Sequence, residues 1–164
     1  MGAMHSANPE ATQAPLHFNF ATDVIDRWAT ERPEATALWC VHATTGAEEK
    51  LSFRQLAALS CQAAGLLRSN GVRRGDRVLI MLPRIPQWWI GMLGLVRLGA
   101  IPVPATLLLT ARDVAYRLGS ARVSAVITSQ DGVAKVGGFE GVEAAWKEIE
   151  VSYERARGAE GAGH

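Results

Sequence analysis

Hydrophobic positions change period along this chain, and the clearest change falls in its middle. After Arg77, the run Val78-Leu79-Ile80-Met81-Leu82 is apolar without alternation. Such a run predicts a strand over residues 77–82 that is covered on both faces. Pro83 ends it, and Pro86 stands where a first helical residue belongs. Residues 90–98 carry apolar side chains on nearly every face, which predicts a deeply buried helix. Gly99 is placed to close that helix in a left-handed conformation, and residues 101–103 begin the next strand. A strand, a helix and a returning strand require a right-handed crossover, so the sheet is expected to be parallel.

The flanking stretches are read the same way. Residues 21–31 form a helix with Val24, Ile25 and Trp28 on one face, stopped at Arg32-Pro33. Residues 37–43 and 50–52 read as two strands around a Thr44-Thr45-Gly46 turn, an N-terminal hairpin. Ser52 and Gln55 match a capping box, and the helix that follows runs to Ser69 with Leu56, Leu59, Ala63, Leu66 and Leu67 as its core stripe. Asn70-Gly71 ends it. Thr110, with Asp113 three residues on, caps a further helix closed at Gly119-Ser120. Val114 and Leu118 would face the sheet, and Arg112 and Arg117 the solvent. Residues 124–128 read as the next parallel strand, a weaker helix follows Asp131, and another spans residues 143–148 around Trp146.

Residues 1–17 are expected to be a disordered tail, 18–151 one α/β subdomain, and 152–164 a low-complexity tail. The expected fold class is therefore α/β: a largely parallel sheet flanked by helices, with an N-terminal hairpin.

Composition narrows the function classes. With 48% hydrophobic and 20% charged residues the middle of the chain is globular. A net charge of +1 without a long basic run argues against a nucleic-acid partner, which needs clustered cations. No stretch reaches the ~20 apolar residues of a membrane span; Arg97, Pro102 and Pro104 interrupt the nearest approach. The N-terminus lacks the order of a signal peptide, so a cytoplasmic setting is expected. Cys40 and Cys61 then read as two buried free thiols.

The familiar chemical motifs are missing. There is no G-x-G-x-x-G, no G-x-x-x-x-G-K-[ST] and no G-x-S-x-G. His5, His17, His42 and His164 lack metal-ligand spacing, so no metal site is expected. Thr44-Thr45-Gly46 with Lys50 imitates a phosphate loop, but Glu48 and Glu49 would repel phosphate and no helix start follows. Asp23 and Asp26 read as the solvated face of a helix rather than a catalytic pair.

A resemblance supplies what periodicity does not. Leu51-Ser52-Phe53-Arg54-Gln55-Leu56 resembles the L-[ST]-[YF]-x-x-L motif of the adenylate-forming superfamily, and residues 95–104, LVRLGAIPVP, resemble its second motif. The opening Phe18-Asn19-Phe20-Ala21-Thr22-Asp23-Val24 with Trp28 is most similar to medium-chain acyl-CoA synthetases. The resemblance covers residues 18–131 and implies part of the N-terminal domain of such an enzyme. It implies a ligase that uses ATP, CoA and Mg²⁺ to convert a carboxylic acid to its thioester through an acyl-adenylate. The phosphate loop, the adenine- and ribose-binding motifs and the catalytic-lysine domain are absent from the sequence. No catalytic residue is therefore assigned, and the isolated chain is expected to be inactive and to bind no cofactor tightly.

By the same resemblance Thr106, Leu107 and Leu108 line a CoA channel, and Trp88 and Trp89 border an acyl pocket. The competing reading for each is ordinary packing. Two other functions stay open. One is a standalone α/β module whose exposed sheet edge pairs with a second copy or with the remainder of a synthetase. The other is an adenylation domain that loads a carrier-protein thiol.

Overall fold

The computed structural model describes residues 16–137. The expected helix at 143–148, the C-terminal tail and residues 1–15 of the N-terminal tail lie outside them. The first helical run opens with a π-helical segment, Ala21–Asp26, and continues as α1, Arg27–Glu31. Strands β1, Thr36–Val41, and β2, Glu48–Ser52, pair antiparallel as the expected hairpin. Then come α2, Phe53–Ser69; β3, Arg77–Met81; α3, Pro86–Leu98; and β4, Ile101–Pro104. The described chain ends with α4, Ala111–Ser120; β5, Ala125–Thr128; and α5, Gln130–Val136.

Local chemistry sets most of these bounds. Ser52 Oγ accepts from the Gln55 N–H at 3.3 Å while Gln55 Oε1 accepts from the Ser52 N–H at 2.6 Å. Thr110 and Asp113 close the same reciprocal pair at the start of α4. Two of the helix's free N-terminal donors are satisfied each time. Pro86 opens α3, and Gly99 ends it at φ 70°. At the end of α4 the expectation needs correction. Gly119 and Ser120 remain helical, Ala121 is the cap, and Arg122 takes the left-handed turn at φ 48°.

The three parallel strands lie in the order β4-β3-β5, with Leu79 beside Val103 on one side and Val126 on the other. The chain crosses from β3 to β4 through α3, then returns past β3 to β5 through α4. The strand pleat divides the core. Val78, Ile80 and Leu82 join the α2 and α3 side chains, while Leu79 and Met81 meet Val114 of α4 and Val136 of α5. Both faces of β3 are buried, which is why its sequence does not alternate.

The N-terminal segment is tied to α3 by polar contacts. The Arg97 guanidinium grips Asp26 with both terminal nitrogens, one at 2.7 Å from Oδ2, and its Nε donates to Ser60 Oγ at 2.8 Å. Asn19 Nδ2 donates to the Val96 carbonyl at 2.8 Å. Asp26 is thus an ion-pair partner, not half of a solvated carboxylate face, because the π-helical entry turns it onto α3. Cys61 also differs from expectation. It is exposed, since the buried stripe of α2 runs through Ser60, Ala63, Ala64 and Leu67 and leaves position 61 outside.

Candidate functional site: a cleft at the carboxyl ends of the sheet

The chain leaves β3 through Leu82-Pro83-Arg84, and α3 turns back within two residues. This places Trp88 and Trp89 near the carboxyl end of the sheet. The rings meet edge-on, with centroids 4.7 Å apart at 78°. Trp88 is half-buried against the α2–α3 core, whereas Trp89 is 50% exposed. Beyond β4, the Ala105 N–H donates to the Ile80 carbonyl at 2.9 Å, which holds the following loop against the sheet end.

These elements, with Leu38 to Val41 of the hairpin, enclose a cleft of about 660 Å³. Trp88, Trp89, Thr106 and Leu107 all line it. Leu108 does not, and is 90% exposed. The residues expected to line a channel and those expected to border a pocket, Leu108 apart, therefore face one cleft. In open α/β sheets the carboxyl ends of the strands are where ligands bind.

The lining is mostly apolar. Arg84 supplies its cation. The Cys40 thiol is pushed above its ordinary pKa, first by burial and then by the nearby Glu49 carboxylate, so it stays protonated. The Lys135 ammonium donates to the Leu107 carbonyl and pins the loop from outside the lining. Among the described residues no group of three or more His, Cys, Asp or Glu is placed to hold a metal ion. Among the described residues that line the cleft there is no acid–base pair or nucleophile–base pair. Sequence reading missed the hairpin wall, Arg84 and Lys135. An uncharged strand gave the only signal for the first, and the other two had none.

Parallel strands in this order, wound with helices on both faces and with a cleft at their carboxyl ends, define an α/β layer. The chain belongs to the family of AMP-binding enzymes, whose model matches residues 25–160. It is 43% identical over 123 residues to the human acyl-coenzyme A synthetase ACSM4, mitochondrial, covering 71% of this chain and 21% of that protein. It is 39% identical over 130 residues to the rat synthetase ACSM2, mitochondrial, covering 76% and 23%. A crystal structure of Brucella canis acyl-CoA synthetase superposes with a TM-score of 0.71 at 25% identity, over 79% of this chain and 23% of the other. The Klebsiella oxytoca NpsA N-terminal subdomain, in complex with anthranilyl-AMSN, superposes at 0.66 and 29% identity, over 78% and 31%. The chain spans about a fifth of the length of the curated relatives it matches.

Proposed function

We propose that this chain is the N-terminal part of an ATP-dependent acyl-CoA synthetase. The observation that carries the reading is the ordered motif pair at residues 51–56 and 95–104, set in a sequence about two-fifths identical to acyl-coenzyme A synthetases. In such an enzyme a carboxylate oxygen attacks the α-phosphorus of ATP, and pyrophosphate leaves. The CoA sulfur, having lost its proton, then attacks the acyl carbonyl carbon, and AMP leaves with the C–O bonding electrons. Mg²⁺ offsets phosphate charge in the first step.

The cleft's part in this is positional. Thr106 and Leu107 form a wall along which the thiol arm of CoA approaches, and Trp88 and Trp89 exclude water from its apolar end. The phosphate loop that would stabilise charge on the triphosphate has no counterpart among the 164 residues, so the chain alone is proposed not to turn over. CoA is favoured over a carrier-protein thiol because the curated relatives that match at 38–43% identity are acyl-coenzyme A synthetases. The remainder of the synthetase, rather than a second copy, is the proposed partner of the exposed sheet edge. The free thiols suit a reducing compartment such as the cytoplasm, and no helix of the described residues is long and apolar enough to cross a membrane.

The test is ATP–pyrophosphate exchange by the 164-residue chain with medium-chain and aromatic acids. No exchange is expected; robust exchange would overturn the proposed division of labour. In a full-length enzyme carrying these residues, Thr106→Trp is expected to raise the KM for CoA while leaving pyrophosphate exchange intact.

A further inference from the structure

Lys135 lies outside the cleft, yet it bonds to a residue of the cleft wall, and we propose that it is a positioning residue for the CoA-dependent half of the reaction. The role, though not the contact, depends on the synthetase reading. Lys135 stands near the end of α5, and its ammonium donates to the Leu107 carbonyl. Leu107 and its neighbour Thr106 line the cleft, whereas Lys135 does not. A nearer partner was on offer. Asp131 precedes Lys135 by four residues on the same helix, the spacing and order that favour an ion pair. Among the described residues the two form none. The ammonium is directed at the loop instead, in a hydrogen bond strengthened by its charge.

A clamp holds only if its base is fixed, and α5 is seated closely on the sheet. A Cβ at Gly132 would lie 1.8 Å from Thr128 Oγ1 and 3.2 Å from Met81 Cε, so only glycine allows this approach. That Thr128 hydroxyl donates to the Met81 carbonyl at 2.9 Å. Val136, beside Lys135, is buried with Val114 in the second part of the core. The loop is held less firmly by its own bonds. The Leu109 N–H donates to the Thr106 carbonyl at 3.3 Å, and the Leu108 N–H to Thr106 Oγ1 at 3.2 Å, both at the long end for such contacts. The Ala105 N–H fixes the start of the loop and the Thr110–Asp113 box its end. Among the described residues, Lys135 makes the one hydrogen bond that ties residues 106–109 to another element.

The bond fixes the peptide between Leu107 and Leu108. There the chain passes from a residue that lines the cleft to one that is 90% exposed. Releasing the carbonyl lets that peptide turn and Thr106 shift, so the wall along which the thiol arm approaches loses its fixed place. Misplacement of that wall weakens the approach of CoA. Adenylate formation is spared, because the groups that act on the phosphates do not belong to this loop.

Two variants separate the clamp from the ligase reading. In the 164-residue chain, Lys135→Met is expected to speed hydrogen exchange at the Leu108 and Leu109 amides by about tenfold, with the Leu79 and Ile80 amides of β3 unchanged. Lys135→Arg, which keeps a charged donor, is expected to stay within about threefold of the parent chain. Unchanged exchange at 108 and 109, equal exchange in the two variants, or matching acceleration at 79 and 80 would each overturn the clamp, whatever the chain's activity. In a full-length enzyme carrying these residues, Lys135→Met is expected to raise the KM for CoA about fivefold, with kcat and pyrophosphate exchange changed by less than about twofold, and Lys135→Arg to restore it. Faster loop exchange with an unaltered KM for CoA would overturn the role in thiol positioning and leave the ligase reading intact. A full-length enzyme that forms no thioester would instead overturn the ligase reading, and with it this role for Lys135, while the exchange result still decides the clamp.

Discussion

The parallel sheet and the hairpin use apolar residues in opposite ways. In β3, Val78, Leu79, Ile80 and Met81 are wholly buried, with helices on both sides. In the hairpin only Leu51 is fully inside, while Trp39 and Val41 stand in the open. The first arrangement concentrates burial, and with it stability, in a layer that sequence-local crossovers assemble. The second leaves Trp39 and Val41 exposed along one strand. Burial is thus concentrated in one sheet and sparse in the other.

The largest expected effect tests that division directly. Ile80→Ala should cost about 2–5 kcal/mol of unfolding free energy, because it leaves a cavity in a close-packed core. Val41→Ala, deleting comparable surface from the hairpin, should stay within about 0.5 kcal/mol. Urea denaturation of both variants makes the comparison, and equal losses would abolish the distinction. Arg97→Met should cost about 2–3 kcal/mol, since the 9%-exposed guanidinium is paired with Asp26 and Ser60 while Asp26 keeps some water. That hydrogen bond to Asp26 holds Arg97 above its ordinary pKa.

Gly94→Ala should follow, at about 1–3 kcal/mol. Its Cβ would lie 2.9 Å from Ala63 Cβ and 3.1 Å from the Ala64 backbone nitrogen, where α2 cannot give way without sliding off α3. The smallest effect concerns pH. Hydrogen bonds from Thr110 hold the exposed Asp113 carboxyl below its ordinary pKa. Its contribution is present above the unfolded pKa and is lost as pH falls through the lowered folded value. Asp113→Asn should remove that acid-side dependence of α4 helicity, measured by hydrogen exchange of residues 111–120, with little change at neutral pH.

Much of the fold was legible because its signals are satisfied within a few residues. The Ser52–Gln55 and Thr110–Asp113 boxes, the Gly99 turn and the run through β3 each announce themselves without knowledge of the rest. The site was legible in part. Trp88, Trp89, Thr106 and Leu107 converge as neighbours of the β3 and β4 ends, but Leu108 swings out where the loop turns, a matter of a single residue's direction. The hairpin wall was legible only as an uncharged strand, since nothing in residues 38–41 says which edge will face which cleft.

The amino-acid pattern by itself determined the order of the elements, most of the caps that bound them and the parallel sense of the crossovers. These depend on backbone sterics and on donors and acceptors three or four residues apart. Tertiary structure alone decided that β3 lies between β4 and β5, and that Asp26 reaches Arg97 across 71 positions of sequence. It alone decided that Cys61 faces outward and that β1 borders the sheet's carboxyl end. Such contacts follow from how finished helices and strands stack against each other, and that geometry is set by packing over the whole layer rather than by any short stretch of chain.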